Sequence, residues 1–379
     1  MSRPIVSVAM VVCNVDRFLA EAIQSILDQS FADFEFVIVD FGSTDRSIPI
    51  ISEYEAKDRR IKFHRIPHCG LAEARNACGL LAQGRYIAIM DADDVAVRDR
   101  LLWEVEFLEK HPQVGVVGGA VEWVDAAGRS LLTVSKPLTD REIQATLLNH
   151  CPFWQPTVLI RSEAFLAVGG YRGAFPVSHD YDLWLRISER FELANLQQVV
   201  LKYRVHPYQV SLRKRKQQAF ICLAAQAAAS ARRNGQPDPL SAVDEITPAV
   251  LAGLGLSEAT QQTALAWHCL SWIHIMSMAG ERSAALSAAI ELLRSSDCKH
   301  ADKRVVADLR LAVAGLHWSE RRLLPSILSA CQAVMTRPAT IGRPLKRLLG
   351  RLRHAASPAA AAATGPGVVG YKFREDRRR

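Results

Sequence analysis

The sequence predicts an α/β protein, an open sheet with crossover helices, followed by an α-helical region. Three observations predict it. Short apolar runs rich in β-branched residues, Ile5 to Val12, Phe34 to Val39 and Tyr86 to Met90, read as buried parallel strands. Between them, Phe18, Leu19, Ala22, Ile23, Ile26 and Leu27 recur at helical spacing, and Leu71 to Leu81 forms a second such stretch. After about Lys216 strand signals fade and Ala- and Leu-rich helical patterns take over, as in Ala284, Ala285, Ala288, Ala289, Leu292 and Leu293.

Taken in order, the strand ends carry the polar residues. Asn14 follows the first strand. Asp40 closes the second and leads into Gly42-Ser43-Thr44-Asp45. Asp91, Asp93 and Asp94 follow the strand Tyr86 to Met90. Ligands of open α/β sheets bind outside the carboxyl ends of the strands, so these residues share the rim where a ligand is expected.

At 379 residues the chain has the length of two domains, cut here as 1–215 and 216–354, with an alanine-rich, proline-punctuated stretch at 355–379 read as a flexible tail. The eight cysteines are scattered through apolar segments instead of forming CxxC pairs, which fits a reducing compartment and excludes a disulfide scaffold. The first apolar run is too short for a secretory leader, and no window approaches the roughly 20 apolar residues of a membrane span. The expected location is the cytoplasm. The net charge of +8 gathers in Arg213 to Lys216 and in the last third, so an anionic partner surface is expected there. The cations Arg337, Arg343, Lys346, Arg347, Arg351 and Arg353, interleaved with leucines, suggest peripheral contact with the anionic inner face of a membrane. A basic helix packed on the second domain is the competing reading of the same residues.

Carboxylate oxygens are the ligands that Mg²⁺ and Mn²⁺ prefer, and such ions commonly sit between one or two carboxylates and substrate phosphates. Asp91 and Asp93 suit that chemistry, although a short acidic run after a strand is also ordinary helix-cap chemistry. Asp40 is equally a turn cap or an acceptor for a base or ribose. Asp180 reads either as a helix N-cap or as a proton acceptor, with Asp182 starting the following helix.

Longer segments resolve these ambiguities together. VSVAMVVCN at 6–14, LDQSF at 27–31, VDFGSTD at 39–45, GLAEARN at 70–76 and GRYIAIMDADD at 84–94 occur in order. They are followed by RLLWEVEFLEKHPQVGVVGG at 100–119, QPTVLIR at 155–161, VGGYR at 168–172, HDYDLWLR at 179–186 and YRVHP at 203–207. In this series the chain resembles glycosyltransferase family 2, whose catalytic domain has the GT-A fold, a Rossmann-like open sheet.

The resemblance implies an inverting transferase that takes a nucleotide-diphosphate sugar, with a UDP-sugar favoured, and a divalent metal, Mg²⁺ or Mn²⁺. The acceptor it implies is a glycan or lipid-linked sugar of a cell-surface polysaccharide or lipopolysaccharide. It gives Asp40 the base, Arg75 the nucleotide side, Asp91 and Asp93 the ribose and metal, and Asp180 the role of catalytic base. Arg204 and His206 resemble an element near the diphosphate, and Asn14 stands on the same nucleotide-binding rim. Phe41 and His179 depart from the family pattern, which often has carboxylates there; His179 therefore sets an imidazole beside the proposed base. A catalytically weak nucleotide-sugar-binding or scaffolding protein is the alternative. A nicotinamide-dependent enzyme lacks its GxGxxG after the first strand, and nucleic acid is not an expected partner.

Overall fold

The computed structural model describes residues 3–206 and 214–340. Two compact units emerge. One comprises the described residues up to His206 together with Ile221–Leu254, and the other residues 214–220 together with the described residues from Gly255 onward. A single cut after 215 therefore does not reproduce them, because helix α8 (Arg215–Arg233) belongs to the second unit by its first residues and to the first unit thereafter. The 355–379 stretch and the basic residues from Arg343 to Arg353 lie outside the described residues, of which Arg337 is one.

The first unit is the expected α/β sheet. Strand β1 (Val6–Val12) lies between β2 (Phe34–Asp40) and β4 (Tyr86–Met90), parallel to both, and β3 (Ile61–Arg65) extends the parallel set beyond β2. All seven residues of β2 and all five of β4 are buried, which is why these strands read as unbroken apolar runs. Helix α1 (Asp16–Leu27) turns Phe18, Leu19, Ala22, Ile23 and Ile26 inward. Helix α3 (Leu71–Leu81) instead buries small residues, Ala72, Ala74 and Cys78, together with Arg75.

Beyond β4 the sheet ceases to be parallel. The short β8 (Leu159–Arg161) is inserted antiparallel between β4 and β6 (Val114–Val124), and β6 runs parallel to β9 (Glu192–Arg204). At the far edge β5 (Val95–Ala96) pairs antiparallel with β9, while β7 (Ser130–Val134) pairs antiparallel with β6. Glycines make room along β6: a Cβ at Gly115 would stand 2.6 Å from the Phe191 side chain, and one at Gly119 would stand 2.7 Å from that of Val200.

Helix α4 (Arg100–Lys110) is locked onto β4 by a fully buried ion pair. Arg100 Nε donates to Glu104 Oε1 at 3.1 Å, and its Nη2 donates to the Ile89 carbonyl at 2.9 Å. Helix α7 (His179–Ile187) begins at Ser178, which has a left-handed φ of 50°. Asp182 therefore does not start the helix. It lies in the first turn, fully buried, and is ion-paired with both Arg172 and Arg186.

The second unit is helical, as expected. Its helices include α10 (Glu258–Met278), α11 (Arg282–Arg294), α12 (Lys303–Ser319) and α13 (Leu323–Thr336). The remaining short helices are α2 (Ser47–Lys57), α5 (Asp140–Thr146), α6 (Ser162–Ala167) and α9 (Pro248–Gly253). No helix among the described residues is long and apolar enough to cross a membrane.

Removing one partner of a buried pair leaves an uncompensated charge, so Glu104→Ala is expected to lower the unfolding free energy by about 3–5 kcal/mol. Chemical denaturation of the variant against the parent measures it.

Candidate active site at the carboxyl ends of the strands

The site is built on the acidic turn after β4. Asp91 and Asp93 are half-buried and Asp94 is buried, so three carboxylates crowd one rim position. Each is answered by a donor from another element. Arg75, from α3, reaches Asp91 Oδ1 through Nη2 at 2.7 Å. His206 Nε2 stands 3.0 Å from Asp93 Oδ2. The backbone N–H of Arg204 donates to Asp94 Oδ1 at 2.7 Å. Burial, followed by the negative charges of Asp93 and Asp91, pushes the Asp94 carboxyl well above the usual carboxylate range.

Arg204 ends β9 and is 3% exposed. Its Nε donates to the Asp93 carbonyl at 2.9 Å, its Nη2 to Glu21 Oε2 at 2.7 Å, and its guanidinium lies over the Phe18 ring. In this structure it braces the acidic turn from behind. Glu21 drew no attention in the sequence because it sits on the α1 surface, and only the return of β9 brings it to Arg204.

The second strand end forms the other half of the rim. Asp40 is 1% exposed; its Oδ1 accepts from the N–H groups of Gly42 and Ser43 at 3.1 and 3.2 Å, and its Oδ2 is buried without a hydrogen-bond partner. A dry carboxylate oxygen with no donor is a deficit that a ligand N–H or O–H relieves. Asn14, at a left-handed φ of 55°, accepts on Oδ1 from the Thr44 N–H at 2.8 Å, and its own backbone N–H donates to Ser43 Oγ at 3.0 Å. It thus fastens the 42–45 loop to β1. Phe41 stacks on His68 with centroids 6.3 Å apart, while the His68 ring lies against Gly42.

Asp180 sits in the first turn of α7, half-buried, within the electrostatic reach of Arg75 and Asp91. Burial pushes its carboxyl up, the Tyr181 N–H and the Arg75 charge oppose the rise, and the Asp91 charge adds to it. His179 is buried, and its ring meets Tyr171 edge-on at 5.1 Å. Burial and then the Arg75 charge drive its pKa well below 6.5, so it stands beside Asp180 as a neutral imidazole. Asn76 pins the neighbouring segment, accepting from the Tyr171 N–H at 2.8 Å and donating to the Tyr171 carbonyl at 2.7 Å. The LAEARN segment contained that residue in plain view, but only the 95-residue separation of the contact reveals its task.

The fold therefore brings Arg75, Asp91, Asp93, Asp94, Arg204 and His206 into one linked group, with Asp180 coupled to it by charge and Asp40 with Asn14 on the adjoining strand end. A surface depression of about 450 Å³ lies elsewhere, lined by Asp140, Gln144, Ser188, Glu189, Arg232 and Arg233. Arg232 is already paired with Glu189 and Asp238, while Arg233 hydrogen-bonds only to the neutral Gln144 and Ser188 among the described residues.

Among the described residues no three His, Cys, Asp or Glu side chains are preassembled around a metal position. The acidic turn nevertheless fits a divalent ion that takes most of its ligands from a substrate diphosphate: the contacts above use one oxygen each of Asp91 and Asp93, and carboxylate oxygen is the donor such ions prefer.

A neutral His179 carries a pH signature. Below about 6.5 the unfolded chain takes a proton at this residue that the folded chain refuses, so stability is present above 6.5 and falls as the pH drops through the window beneath it. His179→Gln is expected to lose less stability than the parent between pH 7.5 and pH 5.5, read as the difference in denaturation midpoints.

With this geometry in place, comparisons with known proteins identify its relatives. The sequence profile of the family described as Glycosyl transferase family 2 matches residues 7–169. The chain is 36% identical over 212 residues to the putative glycosyltransferase EpsE of Bacillus subtilis, covering 54% of this chain and 74% of that one. It is 29% identical over 205 residues to the O-antigen biosynthesis glycosyltransferase WbnJ of Escherichia coli, covering 53% and 80% respectively. In three dimensions it is similar to TarS 1-349 of S. aureus, crystallised with UDP-GlcNAc, with a TM-score of 0.50 and 16% identity over 86% of this chain and 90% of that one. At that identity the likeness speaks for the GT-A fold alone.

Proposed function

The chain belongs to glycosyl transferase family 2, and from that premise we propose that it is an inverting glycosyltransferase that takes a nucleoside-diphosphate sugar, a UDP-sugar by preference, and transfers the sugar to a glycan or lipid-linked acceptor of a surface polysaccharide. The observation that carries the reading is the placement of a carboxyl of raised proton affinity, Asp180, within reach of the Arg75–Asp91 pair. The O-antigen role in the name of WbnJ supports the acceptor class.

In this reading Asp180 takes the proton of the acceptor hydroxyl as its oxygen bonds to the anomeric carbon and the bond from that carbon to the diphosphate oxygen breaks. Partial burial serves that step, because it raises the basicity of the carboxylate while the charge of Arg75 keeps the rise in check. A divalent ion held by Asp93 and Asp91 would stabilise the charge that gathers on the departing diphosphate. Arg75 and His206 fix the direction of the Asp91 and Asp93 carboxylates, and Arg204 braces the turn through the Asp93 carbonyl. Asp40 selects the base. Two backbone N–H groups occupy its Oδ1, so Oδ2 alone remains for a ligand donor. Uracil presents one such donor, its ring N3–H, whereas guanine presents adjacent ring and amino donors that would require two acceptors.

Asp180→Asn is expected to leave nucleotide-sugar affinity near the parent value and to lower turnover by about 10²–10⁴-fold, the range for loss of a general base. The parent enzyme's rate should rise with pH through a value above the ordinary 3.8 of aspartate, because the base must be ionised to act. Calorimetric binding and a pH–rate profile check the two parts; loss of binding in the variant would remove the base role.

Asp40→Asn keeps an oxygen on the 42–43 N–H groups and sets an amide where Oδ2 stands. UDP affinity is expected to fall by at least about tenfold, or about 1.4 kcal/mol. Asp93→Ala is expected to abolish the Mn²⁺ dependence of UDP binding. Titration calorimetry with and without the metal reads both variants.

A further inference from the structure

The second unit carries an apolar surface that the transfer chemistry does not use. Of the ten exposed large apolar side chains among the described residues, six fall between Trp318 and Met335: Trp318, Leu323, Leu324, Ile327, Leu328 and Met335. Five of these six are on helix α13. That helix packs in the reverse of the usual sense: Ser326 and Ala333 face inward, with Ser326 Oγ donating to the Ala314 carbonyl of α12 at 2.8 Å, while its leucines, Ile327 and Met335 face water, 54–81% exposed. A contiguous apolar face of this kind marks an interaction surface.

The composition of the helix and its flanks selects the partner. Residues 323–336 contain no Asp, Glu, Lys or Arg. The exposed Arg321 and Arg322 precede the helix, Arg322 being paired with Glu320 at 3.4 Å, and Arg337 closes it. From Arg337 to Arg353 the sequence adds Arg343, Lys346, Arg347, Arg351 and Arg353 without one acid. An apolar strip bounded by cations matches an anionic lipid surface, which offers acyl chains to the strip and phosphates to its edges. A second copy of the chain would instead bring cations against cations at the two ends of the helix. At 1.5 Å per residue, the 14-residue helix is about 21 Å long, short of the roughly 30 Å hydrocarbon core, so it fits a lipid surface lying flat and not spanning.

We propose that the outward face of α13, with the exposed Trp318 at the end of the preceding helix, is a docking surface for anionic membrane. This goes beyond the transferase reading and does not depend on it. The test uses the full chain with vesicles of phosphatidylcholine alone and of phosphatidylcholine mixed with phosphatidylglycerol. Sedimentation is expected with the mixed vesicles, weakened by high salt, and the triple variant Leu324→Glu, Ile327→Glu, Leu328→Glu is expected to lower the partition by at least about tenfold. A second readout keeps the folded parent in use: lipids brominated in their acyl chains should quench the tryptophan fluorescence of the parent and quench Trp318→Phe markedly less. Three results would overturn the proposal. They are vesicle binding unchanged by the triple variant, a parent oligomer that the triple variant dissolves without any vesicle binding, and slow amide exchange over 323–336 in the lipid-free protein that lipid does not alter.

Discussion

Three carboxylates in four residues repel one another, and the first unit is organised around answering that repulsion. At an effective dielectric near 20, two like charges 4 Å apart cost about 4 kcal/mol. The answer comes from three separate parts of the chain: Arg75 on α3, the Arg204 backbone and guanidinium at the end of β9, and His206 beyond it. No local segment could supply these donors. The long parallel pairing of β6 with β9, and the short pairing of β5 with β9, bring the end of β9 to the acidic turn. The Arg100–Glu104 pair holds α4 against the strand that leads into it.

What the sequence revealed was mostly local. The buried strands β1, β2 and β4 appear as apolar runs because both faces of each are covered, and α3 ends within a residue of its periodic stretch. The antiparallel insertion of β8 and the course of β9 were invisible to periodicity: β8 is three residues long, and β9 carries Gln197 and Gln198 in its middle where its pairing with β6 shifts register. Asp182 illustrates the same limit. Its position at the start of an apolar helix resembles a cap, but two arginines, one of them ten residues earlier, claim its carboxylate instead.

At the site, the structure joins some of the residues that the family resemblance named and gives others separate contacts. Asp91, Asp93, Arg75 and His206 meet. Arg204, expected beside a diphosphate, is turned toward Asp93 and Glu21, and Asn14 is engaged in fastening a loop. His179, where the family often has a carboxylate, is a neutral ring packed on Tyr171, so the electrostatics of Asp180 come from burial, Arg75 and Asp91. The departure thus changes the packing beside Asp180 without adding a charge to it.

In the proposed reaction a single displacement occurs at the anomeric carbon with Asp180 as the proton acceptor. It is tested most directly by supplying the protein with Mn²⁺ and α-linked UDP-sugars in water, and following the released sugar by proton NMR before it mutarotates. The account predicts that the sugar first appears as the β-anomer, together with UDP, and that Asp180→Asn suppresses it. First appearance of the α-anomer, or release undiminished in the variant, would contradict it.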